Sequence, residues 1–399
     1  MDKSMETETV EIPQGFRLLA LEGGIKYAGR KDIGLIISTR PCSYAGAFTT
    51  NRVQAAPVRL CRERLGQSIH AVIVNSGSAN ACTGDEGYRD AVTITRHVEK
   101  GFGLPKGSAL SLSTGVIGVP LPVAKFEAAL ADTSHAETGP EAFARSIMTT
   151  DTVPKMAART VALPGGRSVK IAGFAKGAGM ISPNMATMLA FVITDADIST
   201  KKLQKYVLDN LEDSFNAVTV DGDMSTNDSL VVLANGASQT TLQDKEERRA
   251  FKKALFEVME SLALQVVRDG EGATKCIEIL VEGAKSRKDA EITARAIANS
   301  LLVKTAFFGN DPNWGRIIDV AGYSGADVRE NRMELFYLDR VIFSRGKPLP
   351  FDKKELSSKL AATKDIKIRL SLGEGRYSRR LYTTDLSYDY VKINAEYTT

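Results

Sequence analysis

Short apolar runs, each bounded by Gly, Ser, Pro or Asp, punctuate the whole chain and predict strands at 35–39, 71–75, 110–112, 189–194, 230–233, 276–282 and 341–343. Between them the apolar spacing changes to the helical period. Asp244 stands three residues before Glu247, a capping-box spacing, and Phe251, Leu255, Val258, Met259 and Leu262 follow on one face, so a helix starts there and stops by Gly270. A second helix opens at Ser199 with Leu203, Val207 and Leu211 inward, and a third runs from about Asp289 through Ile292 and Ile297 to Leu301. Near the end, 388–395 alternates apolar and polar residues, the pattern of a strand that would tether the terminus. Strands and helices interleave without a steady βαβ rhythm, which predicts an α+β fold of packed layers rather than a doubly wound sheet.

Composition narrows the class without naming a function. The 399 residues are 43% hydrophobic and 25% charged, ordinary for a globular chain long enough to bury a large core. Lys and Arg total 52 against 48 Asp and Glu, with no basic block and one Trp, so nucleic acid is a poor partner. Cys42, Cys61, Cys82 and Cys276 are widely spaced, and His70, His97 and His135 form no metal-ligand spacing, so neither a disulfide framework nor a metal site is expected. The polar start MDKSMETETVEIPQGF has no apolar h-region and no run is long enough to span a membrane, which makes a cytoplasmic protein without a membrane partner the expectation.

Several motifs fail on inspection. The stretch from Gly24 to Arg30 lacks the Lys-Ser/Thr pair of a phosphate loop. The run from Asp221 to Asp228 has Thr226 and Val232 where a calcium loop needs Gly and Glu, so its carboxylates read as turn-formers. No Gly-x-Ser-x-Gly elbow is present.

One segment stands apart. Residues 176–195 run from a Gly- and Pro-containing loop through Ala186 and Thr187 straight into a near-continuous apolar strand. A hydroxyl there, held by a rigid element, is a usable nucleophile if something takes its proton. Attack on the Ala186 carbonyl would cut the chain and free an α-amine whose reference pKa of about 7.7–8.0 suits a base near neutral pH. On the residues alone, an ordinary threonine leading a core strand is the favoured explanation, because strand-leading threonines are common.

The segment GMISPNMATML closely resembles the signature of the ornithine acetyltransferase family, the bifunctional arginine biosynthesis proteins. The resemblance extends over nearly the whole chain: GIKYAGRKDIGLI, FTTNRVQAAPV at 48–58, NSGSANACTG at 75–84, STGVIGVPLP at 113–122, MTTDTVPK at 148–155, VDGDMSTNDS at 220–229, DGEGATK at 269–275, GNDPNWGRI at 309–317 and the terminal INAEYTT. It implies a glutamate N-acetyltransferase that moves acetyl from N2-acetylornithine to L-glutamate in a ping-pong cycle. The fold implied is a layered α/β sandwich cleaved at Ala186–Thr187 into an α chain, 1–186, and a β chain, 187–399. Thr187 would be both cleavage residue and nucleophile, Thr114 and Gly115 the oxyanion donors, and Thr150, Lys176, Thr187, Glu271, Asn394 and Thr399 the substrate contacts. Lys176 suits an α-carboxylate, and Glu271 suits either the ornithine side-chain ammonium or the terminal amine. No cofactor is implied, with acetyl-CoA left open as a second acetyl donor, and relatives suggest a heterotetramer of two αβ units. Met224 and Ser78 depart from the family pattern, and neither is expected to touch the chemistry. Two competing readings remain at this stage: a self-processing aminopeptidase or amidohydrolase, and a self-cleaving binding protein without activity.

Overall fold

The computed structural model describes residues 10–26, 28–182 and 188–396. Its architecture turns on the strand Ile33–Phe48, which changes partners halfway along. Its first part pairs antiparallel with Ile69–Ser78, and its second part pairs antiparallel with Ser229–Ala234. Between the two parts the register shifts and Thr39, Arg40 and Pro41 are exposed, so the strand leaves one half of its sheet for the other there.

Among the described residues this makes a nine-stranded sheet whose path runs Ala109–Val116, Ile69–Ser78, Ile33–Phe48, Ser229–Ala234, Leu189–Thr194, Ser168–Lys176 and Lys155–Ala162, with Phe16–Leu21 and Glu137–Thr138 joined to it through Ile33–Phe48. The halves share one core, in which Ile36, Val72, Val74 and Leu110 from one half meet Phe174, Phe191, Val231 and Leu233 from the other. Phe143 sits edge-on to Phe174 and Phe191, with ring centroids 5.2 and 5.6 Å apart, the arrangement that aromatic quadrupoles favour. Helices Gly84–Gly101 and Val123–Ala131 cover one outer face through Ile94, Val98, Phe126 and Leu130. Helices Thr200–Leu211 and Lys245–Arg268 cover the other through Leu203, Val207, Phe251, Val258 and Leu262. The order is helix, sheet, sheet, helix. It explains why Leu189–Thr194 reads as a continuous apolar run: all six of its residues are buried, with alternate side chains feeding two different cores.

A second sheet of six strands runs Lys347–Pro348, Arg340–Ser344, Glu334–Tyr337, Asp365–Ser371, Cys276–Ala284 and Tyr377–Thr384. Its core takes in Ala290, Ala294 and Ile297 of helix Arg287–Asn299, and Ile317 and Val320 of helix Trp314–Tyr323. Among the described residues no helix is long and apolar enough to cross a membrane.

The α+β expectation therefore holds, and each expected strand lies within an observed one. Strands such as Lys155–Ala162 and Tyr377–Thr384 were hidden because charged residues on one side dilute their apolar alternation. The helix at Asp244 is as expected: its carboxylate accepts from the amides of Glu246 and Glu247, each at 2.8 Å. The return bond goes one residue earlier than in a standard capping box, from the Gln243 amide to Glu247 at 2.7 Å.

Two expectations are corrected. The third helix spans Arg287–Asn299 and stops there, because Ser300 leaves the helical conformation and caps the next helix, Leu301–Phe308, whose first side chain is exposed. The segment expected as a terminal strand is instead the helix Tyr388–Glu396. Its apolar residues Tyr388 and Val391 are largely exposed, though the Tyr388 ring sits edge-on to Phe308 with centroids 5.4 Å apart. Tyr390 and Asn394, four apart and so on one face, make its polar side-chain bonds to Asp221 and Glu271.

Candidate active site

Strand ends from both parts of the chain converge on one cavity of about 290 Å³. Thr114 and Gly115 reach it from the end of Ala109–Val116, Lys176 from the end of Ser168–Lys176, Thr150 from the loop before Lys155, Glu271 from beyond helix Lys245–Arg268, and Asn394 from helix Tyr388–Glu396. These six residues, far apart in sequence, were all expected at the site. The other three, Ala186, Thr187 and Thr399, lie outside the described residues.

The ammonium of Lys176 is buried and donates to the Thr114 hydroxyl at 3.2 Å. That bond occupies an acceptor lone pair of the hydroxyl and leaves its own hydrogen free to serve an anion in the cavity. Burial pushes Lys176 below its ordinary range, opposed chiefly by the charge of Asp151. Burial alone would raise Asp151, but Lys176 and Lys155 hold its carboxyl at about 2. Lys155, fully buried, bridges Asp151 at 2.7 Å and Asp269 at 2.5 Å, and Asp269 in turn accepts from the Thr152 amide at 3.0 Å. Asp151 also takes the amides of Thr149 and Gly177, at 2.9 and 2.6 Å. This network fixes the Thr149–Thr150 loop beside Lys176 and near Glu271, and buried ion pairs set geometry more than they add stability.

Gly115 has φ +134°, and a Cβ there would lie 2.3 Å from the Gly77 carbonyl carbon, so only glycine lets these two strand ends touch. The neighbouring Ser113 carbonyl is held by Asn227, whose amide donates to it at 2.8 Å and to the Ala79 carbonyl at 2.6 Å. The oxyanion candidates thus sit on a strand end pinned from a second segment.

Glu271 is placed by its own amide, which donates to the Ala178 carbonyl at 2.9 Å, and its carboxylate accepts from Asn394 at 2.9 Å. Beside it Asp221 accepts from the amides of Met180 and Ile181 at 2.6 and 2.8 Å and from the Tyr390 hydroxyl at 3.4 Å. Burial raises Asp221 to about 6, partly offset by the amides of Asp223, Met180 and Ile181. One carboxylate therefore ties the loop ahead of the expected cleavage point to the terminal helix.

Asp221, Asn227, Tyr390 and Asp151 were not singled out as site residues from the sequence. The run holding Asp221 and Asn227 was read as a structural turn, and Asp221 does accept from the nearby Asp223 amide at 3.2 Å, but Asp221 and Asn227 also bond the backbone of distant segments. Met224, expected to stand clear of the chemistry, lines the cavity, which corrects that expectation. Ser78 stays a turn residue, donating to the Val119 carbonyl at 3.0 Å. The rejected phosphate loop has carboxylates where an anion would sit: Asp32 takes the amides of Gly23 and Ile25 at 2.7 and 2.6 Å. Among the described residues no group of three His, Cys, Asp or Glu is placed to hold a metal, and no histidine lines the cavity.

The cavity offers the Lys176 ammonium, the carboxylates of Glu271, Asp221 and Asp223, and the Thr114 hydroxyl within one small volume, a combination suited to a zwitterionic amino acid with a second ammonium. Residues 17–399 match the model of the ArgJ family. The arginine biosynthesis bifunctional protein ArgJ of Geobacter sulfurreducens is 48% identical over 97% of this chain and 99% of its own length. Among solved structures, the arginine biosynthesis bifunctional protein argJ of Bacillus halodurans is 41% identical with a TM-score of 0.49, covering 51% of this chain and 96% of that one. The ornithine acetyltransferase of Mycobacterium tuberculosis complexed with ornithine is 35% identical with a TM-score of 0.39, covering 45% and 96%.

Proposed function

This chain belongs to the ArgJ family, and from that membership we propose that it is a glutamate N-acetyltransferase of arginine biosynthesis, carrying acetyl from N2-acetylornithine to L-glutamate on Thr187. The observation that carries the site assignment is the convergence of Thr114, Gly115, Thr150, Lys176, Glu271 and Asn394 on one cavity.

The cycle begins with self-cleavage. The Thr187 hydroxyl adds to the Ala186 carbonyl, the acyl group moves from nitrogen to oxygen, and water releases it, giving an α chain of residues 1–186 and a β chain of 187–399. Thr187 then carries a free α-amine that serves as its base. Acetylornithine enters with its α-carboxylate toward Lys176 and its ammonium toward Glu271, supported by Thr150, Asn394 and Thr399. The threonine oxygen attacks the acetyl carbon, and the tetrahedral oxyanion is met by the Thr114 hydroxyl and the Gly115 backbone. Such a donor contributes roughly 3–4 kcal/mol. Ornithine leaves, the amine of glutamate attacks the acetyl-threonine, and N-acetylglutamate departs.

The α and β portions are not separate folding units. Strands Leu189–Thr194 and Ser229–Ala234 lie between Ile33–Phe48 and Ser168–Lys176 in one sheet, so cleavage would leave the pieces interlocked. Two such αβ units form the proposed heterotetramer, in the cytoplasm. The reaction as drawn uses no metal or cofactor, and acetyl-CoA is the proposed candidate for a second acetyl donor.

Mass spectrometry of the purified protein, with and without acetylornithine, tests the reading. Fragments split at 186/187 and an acetyl adduct on the C-terminal fragment are expected; an unbroken, active chain would overturn the mechanism. Labelled acetyl-CoA in the same assay decides the second donor, and acetate released without glutamate would favour a hydrolase.

A further inference from the structure

The free α-amine that serves Thr187 in turnover does not exist until the chain is cut, so self-cleavage needs another proton acceptor. Among the described residues the cavity offers few. Asp221 has both oxygens committed to the amides of Met180 and Ile181. Glu271 is held by Asn394, Asp223 is exposed to solvent, and Lys176 is a donor to Thr114. Asp151, behind Lys176, is surrounded by donors and lysines.

Asp228 differs from all of these. It is fully buried at the start of Ser229–Ala234, and its Oδ1 accepts from the amide of Met188 at 3.1 Å. That amide nitrogen is bonded directly to the carbonyl carbon of Thr187, so the carboxyl is anchored one peptide unit from the threonine. Its other oxygen, Oδ2, is buried with no hydrogen-bond partner among the described residues. The Thr49 hydroxyl donates to the Ser225 carbonyl at 2.9 Å, and it and the Ser225 backbone also lie close enough to the Asp228 carboxyl to favour its charged form. A buried orphan acceptor in a native fold calls for an explanation. Burial also pushes this carboxyl well above the ordinary carboxylate value, against the Met188 amide and the charge of Lys176, which gives it the proton affinity a base requires.

We propose that Asp228 is the proton acceptor for Thr187 during self-cleavage, an assignment that rests on the reading of Thr187 as the nucleophile. As the Thr187 oxygen bonds to the Ala186 carbonyl carbon, its proton passes to the Asp228 carboxylate. As the Ala186–Thr187 C–N bond breaks, the same proton moves to the leaving nitrogen, which becomes the amine, and an ester joins the two parts. Water then hydrolyses the ester, leaving a carboxyl at Ala186 and a hydroxyl at Thr187. After cleavage the amine takes over as base.

The test follows full-length chains made by cell-free translation, watching by mass spectrometry for fragments of 186 and 399 − 186 = 213 residues. Asp228→Asn keeps the volume and an oxygen for the Met188 amide, yet cannot take up a proton at that site. It is expected to slow cleavage by roughly a hundredfold or more, with Asp228→Glu recovering part of the rate. The unmodified chain should cleave faster as pH rises through a titration above the ordinary carboxylate range; the groups facing it are the Lys176 ammonium and the neutral Thr49, Ser225 and Met188. Asp228→Asn cleaving within about threefold of the unmodified chain would overturn the proposal. So would a flat pH profile, which is read on the unmodified chain and stands whether or not a variant folds. Thr187→Ala separates the two ideas. If it is still cleaved at 186/187, the nucleophile assignment falls; if it stays intact while Asp228→Asn cleaves normally, only the role of Asp228 falls.

Discussion

Lys176 and Thr114, 62 residues apart in sequence, meet through a 3.2 Å bond from ammonium to hydroxyl at the wall of the cavity. The bond orients the threonine hydrogen toward the space where a tetrahedral oxyanion would form. Thr114→Val keeps the shape and removes that donor. It should lower kcat by roughly 10²–10³-fold with little change in KM, because the lost interaction strengthens only in the transition state. Steady-state kinetics check it; an unchanged kcat would remove Thr114 from the oxyanion site.

Gly179 and Gly115 make a contrasting pair. A Cβ at Gly179 would lie 2.3 Å from the Glu271 carboxylate, the movable end of a side chain. Gly179→Ala should leave the melting temperature within about 2 °C but raise KM for acetylornithine by about tenfold, as Glu271 is pushed aside. A normal KM would mean that Glu271 does not face the substrate.

At Gly115 the obstacle is backbone, the Gly77 carbonyl carbon at 2.3 Å, and φ is +134°. Gly115→Ala is expected to destabilise the fold by roughly 2–4 kcal/mol. Denaturant unfolding would register this as a lower midpoint, whereas Gly179→Ala should leave the midpoint in place.

Asp221 predicts a pH dependence of stability. Its carboxyl titrates at about 6 in the fold against an ordinary value of 3.8, so the folded state holds the proton more tightly than the unfolded chain. The stability this group contributes is complete below its unfolded value and is lost as pH rises through the folded one, by at most roughly 3 kcal/mol. Denaturation midpoints measured between about pH 4 and 7 should carry this falling component, and Asp221→Asn should flatten it. An identical slope in the variant would contradict the assignment.

The terminal helix Tyr388–Glu396 has no buried residue and holds the site through polar bonds. Asn394→Ala should therefore spare stability and raise KM by about fivefold, the loss of one hydrogen bond to a charged group. A short C-terminal tag beyond Thr399 should impair activity in the same way while leaving the melting temperature alone.

Much of this protein was legible in one dimension. The helix at Asp244 was readable because its cap and its apolar face are local, set by spacings of three and four. The strand Leu189–Thr194 was readable because burial on both faces leaves an apolar run. The terminal segment misled because alternation over eight residues also fits a solvent-facing helix, and only tertiary contacts, among them those with Glu271, Asp221 and Phe308, decide between the two.

The sequence by itself determined the family, through ordered blocks along the chain, and with it the residues expected at the site. It did so because strong local signals and shared strings need no knowledge of distance. Tertiary structure decided which carboxylates matter. Asp221 is bound to residues 40 and 41 positions away, Asp228 to one 40 away, and Asn394 to one 123 away. A polar run that looks like a turn in sequence becomes the wall of a cavity only when sheet pairing brings those segments together, and no periodicity in the chain encodes that meeting.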